Sequence, residues 1–113
     1  MGVIFAVIKV FPAAKHHAQT MEILRSVQDL TRPMPGCMGC WVSEEGFRQP
    51  HLRYTEQWRS EDTLQEHLRS ELYRRVLEAM ELSKQRPEIV YYFTEQERGL
   101  DLIESARGHG AER

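Results

Sequence analysis

Glu56 and His67 are the side chains whose type and setting most suggest chemistry. Glu56 stands between Tyr54 and Trp58 in a segment that alternates as a β-strand, so it shares their largely apolar face. A carboxylate there must be hydrogen-bonded, paired with an arginine such as Arg53 or Arg75, or left desolvated. As a site group it would be a base or an anchor; as a structural group it would be half of an ion pair. His67 sits with Leu64 and Leu68 at the edge of an apolar helical stripe, from which an imidazole can reach beneath the helix toward the sheet. Such a ring could serve as a general base or hydrogen-bond a phenolic ligand, or it could simply pack. Tyr54, Trp58, Trp41, Tyr92 and Phe5 supply flat surfaces for stacking on an aromatic molecule, although strand aromatics commonly belong to the core.

The stretch PGCMGCW holds both cysteines, Cys37 and Cys40. A structural zinc site needs four ligands, and His16, His17, His51, His67 and His109 show no finger-like pairing with this motif. Redox Cys-x-x-Cys pairs place their first thiolate at a helix N-terminus, whereas this pair runs into a strand. Strand positions three apart point to opposite faces, so the sequence predicts two separate strand thiols. His16 and His17 point about 100° apart on a helix and are poor joint ligands for one metal. No metal site is expected. Glycine-rich nucleotide loops and the Gly-x-Ser-x-Gly turn of serine hydrolases are also lacking.

The elements that must position these residues follow from periodicity. The chain of 113 residues is 41% hydrophobic and 28% charged, within the range of one globular domain. Its 15 basic and 17 acidic residues are interspersed and sum to −2, which leaves no basic patch for nucleic acid. The apolar run near the N-terminus is too short for a membrane helix and lacks the flanks of a signal peptide, so the expected location is cytoplasmic. Two cysteines agree with a reducing compartment. A strand is predicted over 3–11, apolar on both faces until Lys9, and a helix over 13–31 with a stripe of Thr20, Ile23, Leu24, Val27, Leu30 and Thr31. Strands over 37–47 and 51–59 are joined by a turn at 46–50. Ser60 caps a second helix, with Glu61 and Asp62 in its first turn and a break near Ser70 before it continues to Met80. Pro87 releases a last strand over 88–94, again apolar on both faces.

This order is βαββαβ, an α+β ferredoxin-like fold with an antiparallel sheet and helices on one face. One domain over 1–95 is expected. The tail, 96–113, carries a weakly amphipathic segment of Leu100, Leu102 and Ile103 and should be disordered from 108 or pack on a partner subunit. Outer strands apolar on both sides leave a second sheet face bare, and a homodimer through that face is the simplest cover.

Three features resemble the antibiotic biosynthesis monooxygenase family: Phe11-Pro12-Ala13-Ala14-Lys15 closing the first strand, Pro35-Gly36-Cys37-Met38-Gly39-Cys40 leading into the second, and Glu56-Gln57-Trp58 followed by His67-Leu68. The resemblance spans residues 3–95. It implies a dimeric α+β barrel with a pocket between sheet and helices in each subunit. Members with known activity oxidise phenols or hydroquinones with molecular oxygen and use neither flavin nor metal, so no cofactor is expected. It points to His67 and Glu56 as catalytic residues and to Trp58 as a pocket wall, with Tyr54, Trp41, Tyr92 and Phe5 as further contacts for a small aromatic molecule. The alternative is a non-catalytic ligand-binding or stress-related dimer on the same scaffold. Haem-degrading relatives need a histidine and an asparagine where this sequence has Leu77 and Ile8, so that reading is disfavoured.

Overall fold

The computed structural model describes residues 2–111. Its elements are β1 (Ile4–Val10), a single 3-10 turn (Ala14–His16), α1 (His17–Thr31), β2 (Cys37–Glu45), β3 (His51–Trp58), α2 (Glu61–Leu68), α3 (Tyr73–Glu81), β4 (Glu88–Phe93) and α4 (Leu100–Ala111). The strands form one antiparallel sheet in the order β2-β3-β1-β4. Each helical crossover joins strands that are not neighbours, which is the ferredoxin-like arrangement that the element order predicts. No helix among the described residues is long and apolar enough to cross a membrane.

Met21, Leu24 and Val27 of α1 and Tyr73, Val76 and Ala79 of α3 meet Ile8, Val10, Leu52 and Tyr54 in the main core. A smaller cluster of Ile4, Trp58 and Leu64 lies under α2. Burial of side chains of this kind contributes about 1.5–3 kcal/mol each. The stripe on α1 differs from the predicted one, because Met21 is buried and Leu30 is 54% exposed. The helix phase explains it: Thr20, Leu24, Val27 and Thr31 fall along one line, and Leu30 sits about 100° from Thr31. The residues ahead of α1 do not begin the helix. Pro12 instead bridges to Ser83, and Lys84 N–H donates to the Phe11 carbonyl at 2.7 Å.

Two serines punctuate the second crossover. Ser60 Oγ accepts the Thr63 N–H at 3.3 Å and starts α2, with Glu61 and Asp62 in the first turn as expected. Ser70 Oγ donates to the His67 carbonyl at 2.7 Å and accepts the Tyr73 N–H at 3.2 Å, so one hydroxyl ends α2 and starts α3. That break sets the position of His67 in the last turn of α2.

The far face of the sheet carries Phe5, Val7, Trp41, Val90 and Tyr92, with Trp41, Val90 and Tyr92 exposed. Beyond β4 the tail departs from the expectation of disorder, since α4 continues to Ala111; residues 112 and 113 lie outside the described residues. Good helix formers such as Leu100, Glu104, Ala106 and Arg107 favour it, and Asp101 holds the first turn by accepting the Gly99 N–H at 2.9 Å and Arg98 Nε at 2.7 Å. Leu100, Leu102 and Ile103 are exposed, and α4 has no extended packing against the other elements.

Candidate active site

Strand alternation aims Tyr54, Glu56 and Trp58 of β3 at the helices, and the last turn of α2 lowers His67 onto them. All four side chains are buried. Glu56 is their centre. Its Oε1 accepts from Trp58 Nε1 at 2.8 Å, and its Oε2 accepts from the Tyr54 hydroxyl at 2.6 Å. His67 Nε2 lies 2.8 Å from the same Oε2. A carboxylate offers only acceptors, so the network assigns the imidazole proton to Nε2. His67 Nδ1 is then a bare lone pair, buried and without a hydrogen-bond partner among the described residues. The ring is fixed on two sides, tilted against Trp58 with centroids 4.9 Å apart and edge-on to Tyr73 at 5.2 Å.

The network extends one step further. Cys40 Sγ donates to the Tyr54 hydroxyl at 3.2 Å, forming a buried chain from Cys40 through Tyr54 and Glu56 to His67. Burial pushes the Cys40 thiol up to about 12, outweighing the opposite effect of its bond to Tyr54. Burial, reinforced by the Glu56 charge, also holds the Tyr54 hydroxyl well above its usual range. Both groups stay protonated and act as donors toward the carboxylate.

A cavity of about 110 Å³ opens beside His67. Met34, Pro35 and Trp58 form its apolar walls, and Thr63, Glu66 and Ser70 add polar groups. The segment before β2 supplies one wall because Gly36 has φ +85°, a conformation side chains disfavour, and a Cβ there would collide with Thr63. Neither Met34 nor Pro35 stands out in the sequence, although Pro35-Gly36 is a turn signal that could have drawn attention to this loop.

The expected site residues divide. Glu56, His67 and Trp58 are brought together, and Trp58 and His67 line the cavity. The expected arginine partner of Glu56 is replaced by Tyr54, Trp58 and His67. Tyr54 is corrected from ligand contact to interior donor: it is fully buried, bonded to Glu56 and absent from the cavity wall. Phe5, Trp41 and Tyr92 are corrected as well. They lie across the sheet from His67 because strand parity sends them to the far face, where Trp41 covers Gly39.

The cysteines also depart from the expected parity. A bulge between Cys37 and Gly39 leaves Cys37 opposite Trp58 and Cys40 opposite Glu56, so both thiols join the helix side. Both are free, Cys37 half-buried and Cys40 buried. No group of three or more histidine, cysteine, aspartate or glutamate side chains among the described residues is arranged to hold a metal ion.

A ferredoxin-like α+β domain with a buried glutamate–histidine pair against a small cavity is the class that this fold and site define. Residues 3–79 match the sequence model of the family described as antibiotic biosynthesis monooxygenase, and the chain belongs to that family. No curated protein matches it. Among solved structures, a conserved protein from Methanosarcina mazei Go1 is 24% identical with a TM-score of 0.76, covering 84% of this chain and 95% of its own. Rv0793 from Mycobacterium tuberculosis is 19% identical with a TM-score of 0.76, covering 86% and 99%. A structure described as an antibiotic biosynthesis monooxygenase is 17% identical with a TM-score of 0.72, covering 82% and 99%. At these identities the likeness is one of fold.

Proposed function

We propose that the chain is a cofactor-independent monooxygenase that oxidises a small phenolic or hydroquinone substrate with molecular oxygen. One observation carries the reading: His67 is locked to Glu56 through Nε2 and lines a cavity while its Nδ1 remains buried and unpartnered. A buried acceptor left unsatisfied costs about 1–3 kcal/mol, and a ligand hydroxyl donating to Nδ1 would relieve that cost.

The chemistry follows from the substrate. Nδ1 takes a phenolic proton, and the electron-rich ring that results adds oxygen at a ring carbon to give a hydroperoxide. Loss of water from that group leaves a carbonyl, so one oxygen atom ends on the ring and the other in water. For a hydroquinone the products are a hydroxyquinone and one water. His67 can return its proton to the departing hydroxide. Glu56 stabilises the imidazolium between these steps, and Trp58 offers a flat wall to the ring.

Oxygen uptake tests the proposal. The purified, metal-depleted chain should consume oxygen with a panel of hydroquinones faster than buffer does, one oxygen per substrate. A rate no greater than buffer across the panel would favour a ligand-binding protein without the reaction.

The working unit of this proposal is a homodimer through the far sheet face, with the body of residues 1–95 from each subunit and the tail of 96–113 packed on the partner. Exposed Trp41, Val90 and Tyr92 support it, as does α4, whose apolar residues have no cover. A helix of 12 residues is marginal alone in water. Light scattering on dilute protein should give twice the mass of the 13.3 kDa chain, and a monodisperse single-chain particle would remove the dimer. The free thiols Cys37 and Cys40 suit a reducing cytoplasm as its location.

A further inference from the structure

Resting on the reading of this cavity as the quinol site, we propose that it selects for a single aromatic ring and that Met34 sets the limit. The volume is about 110 Å³. Benzene occupies an apolar protein cavity of about 150 Å³, so one ring already fills the space beside His67 and must leave its far substituent at the open mouth. A second fused ring has to displace part of the wall.

The wall offers few ways to yield. Trp58 is pinned by its bond to Glu56 and by the His67 ring stacked on it. Pro35 has no rotatable side chain, and its segment is fixed at both ends: Met34 N–H donates to the Thr31 carbonyl at 3.0 Å, Cys37 N–H to the Met34 carbonyl at 3.0 Å, and Arg59 N–H to the Gly36 carbonyl at 2.8 Å. The clash that any Cβ at Gly36 would make with Thr63 shows how closely this loop is pressed on α2. Met34 remains, a half-buried, unbranched thioether packed against the cluster of Ile4, Trp58 and Leu64. Its end atoms can be removed without disturbing the backbone, and their removal extends the cavity along the strand side.

The polar groups fit the same ligand. A hydroxyl on the inner edge of one ring meets His67, and a hydroxyl on its outer edge lies at the level of Thr63, Glu66 and Ser70, which share the lining. A ligand of two or three fused rings would carry its second oxygen past them. The class recognised is therefore a monocyclic dihydroxybenzene.

Benzene-1,4-diol and naphthalene-1,4-diol are the compounds to compare, titrated without oxygen by quenching of tryptophan fluorescence and then assayed for oxygen uptake. The full-length chain should bind the single-ring compound about tenfold or more tightly than the two-ring one, the scale of discrimination available to a small apolar pocket. Met34→Ala should move that ratio by about tenfold toward the two-ring compound, whereas Met34→Leu, close to methionine in volume, should retain the preference for one ring. Equal binding of both compounds by the unmodified protein, or an unchanged ratio in Met34→Ala, would overturn the inference and leave the catalytic reading standing. Failure of both compounds to bind would end the size inference and the quinol reading together. Binding in the predicted order without oxygen uptake would keep the size limit and remove only the reaction.

Discussion

His67→Gln should lower hydroquinone turnover by about 10²–10⁴-fold, the contribution typical of a positioned general base, while the melting temperature falls by only a few degrees. The choice of glutamine follows from the two ring nitrogens. A glutamine Nε2 can still donate to Glu56 Oε2, where His67 Nε2 now lies at 2.8 Å, so the buried carboxylate keeps a partner. What the amide cannot supply is the basic lone pair that Nδ1 presents. The packing loss is limited to contacts with the Trp58 and Tyr73 rings, on the order of 1 kcal/mol. Oxygen uptake and a thermal melt on the same preparation separate the two roles. Parallel loss of activity and stability would make His67 a packing residue and remove the proposed base.

The parts of the fold legible in the sequence are those set by local rules. Leu52, Tyr54, Glu56 and Trp58 alternate without interruption, so β3 and its inward face could be read directly, and Glu56 with them. Ser60 and Ser70 announce a helix start and a helix break because a hydroxyl can satisfy backbone groups that a helix end leaves open. What escaped depends on contacts distant in sequence. The bulge that puts Cys37 and Cys40 on one side arises where β2 pairs with β3, and no periodicity within β2 reveals it. Phe5, Trp41 and Tyr92 could be taken as partners of Trp58 only while the strand parity relative to the sheet was unset; the register sends them to the other face. The partner of Glu56 was hidden for the same reason. Tyr54 and Trp58 are near in sequence, but the choice of Tyr54, Trp58 and His67 over an arginine is made when α2 settles on the sheet.

Two substitutions of Glu56 should separate its structural from its chemical role. Glu56→Ala leaves the Tyr54 hydroxyl, the indole N–H of Trp58 and His67 Nε2–H facing each other in a dry interior with no acceptor. Breaking a buried polar pair from one side costs about 3–5 kcal/mol, a large part of the 5–15 kcal/mol that holds a typical domain together. Denaturant unfolding should show a loss of that size. Glu56→Gln has the same shape and a different outcome. Indole can only donate, so Trp58 Nε1–H fixes the amide oxygen at the Oε1 position and its NH₂ at the Oε2 position. That NH₂ must donate, which requires the Tyr54 oxygen and His67 Nε2 to accept. The imidazole proton then moves to Nδ1, and the lone pair that should receive the phenolic proton is gone. Glu56→Gln should therefore unfold within about 1–2 kcal/mol of the unmodified protein yet lose turnover about as severely as His67→Gln. Nitrogen NMR of the histidine ring reads the tautomer directly: protonated Nε2 in the unmodified chain, protonated Nδ1 in Glu56→Gln. Full activity in Glu56→Gln, or an Ala variant as stable as the unmodified protein, would show that the carboxylate neither orients His67 nor anchors the sheet to α2.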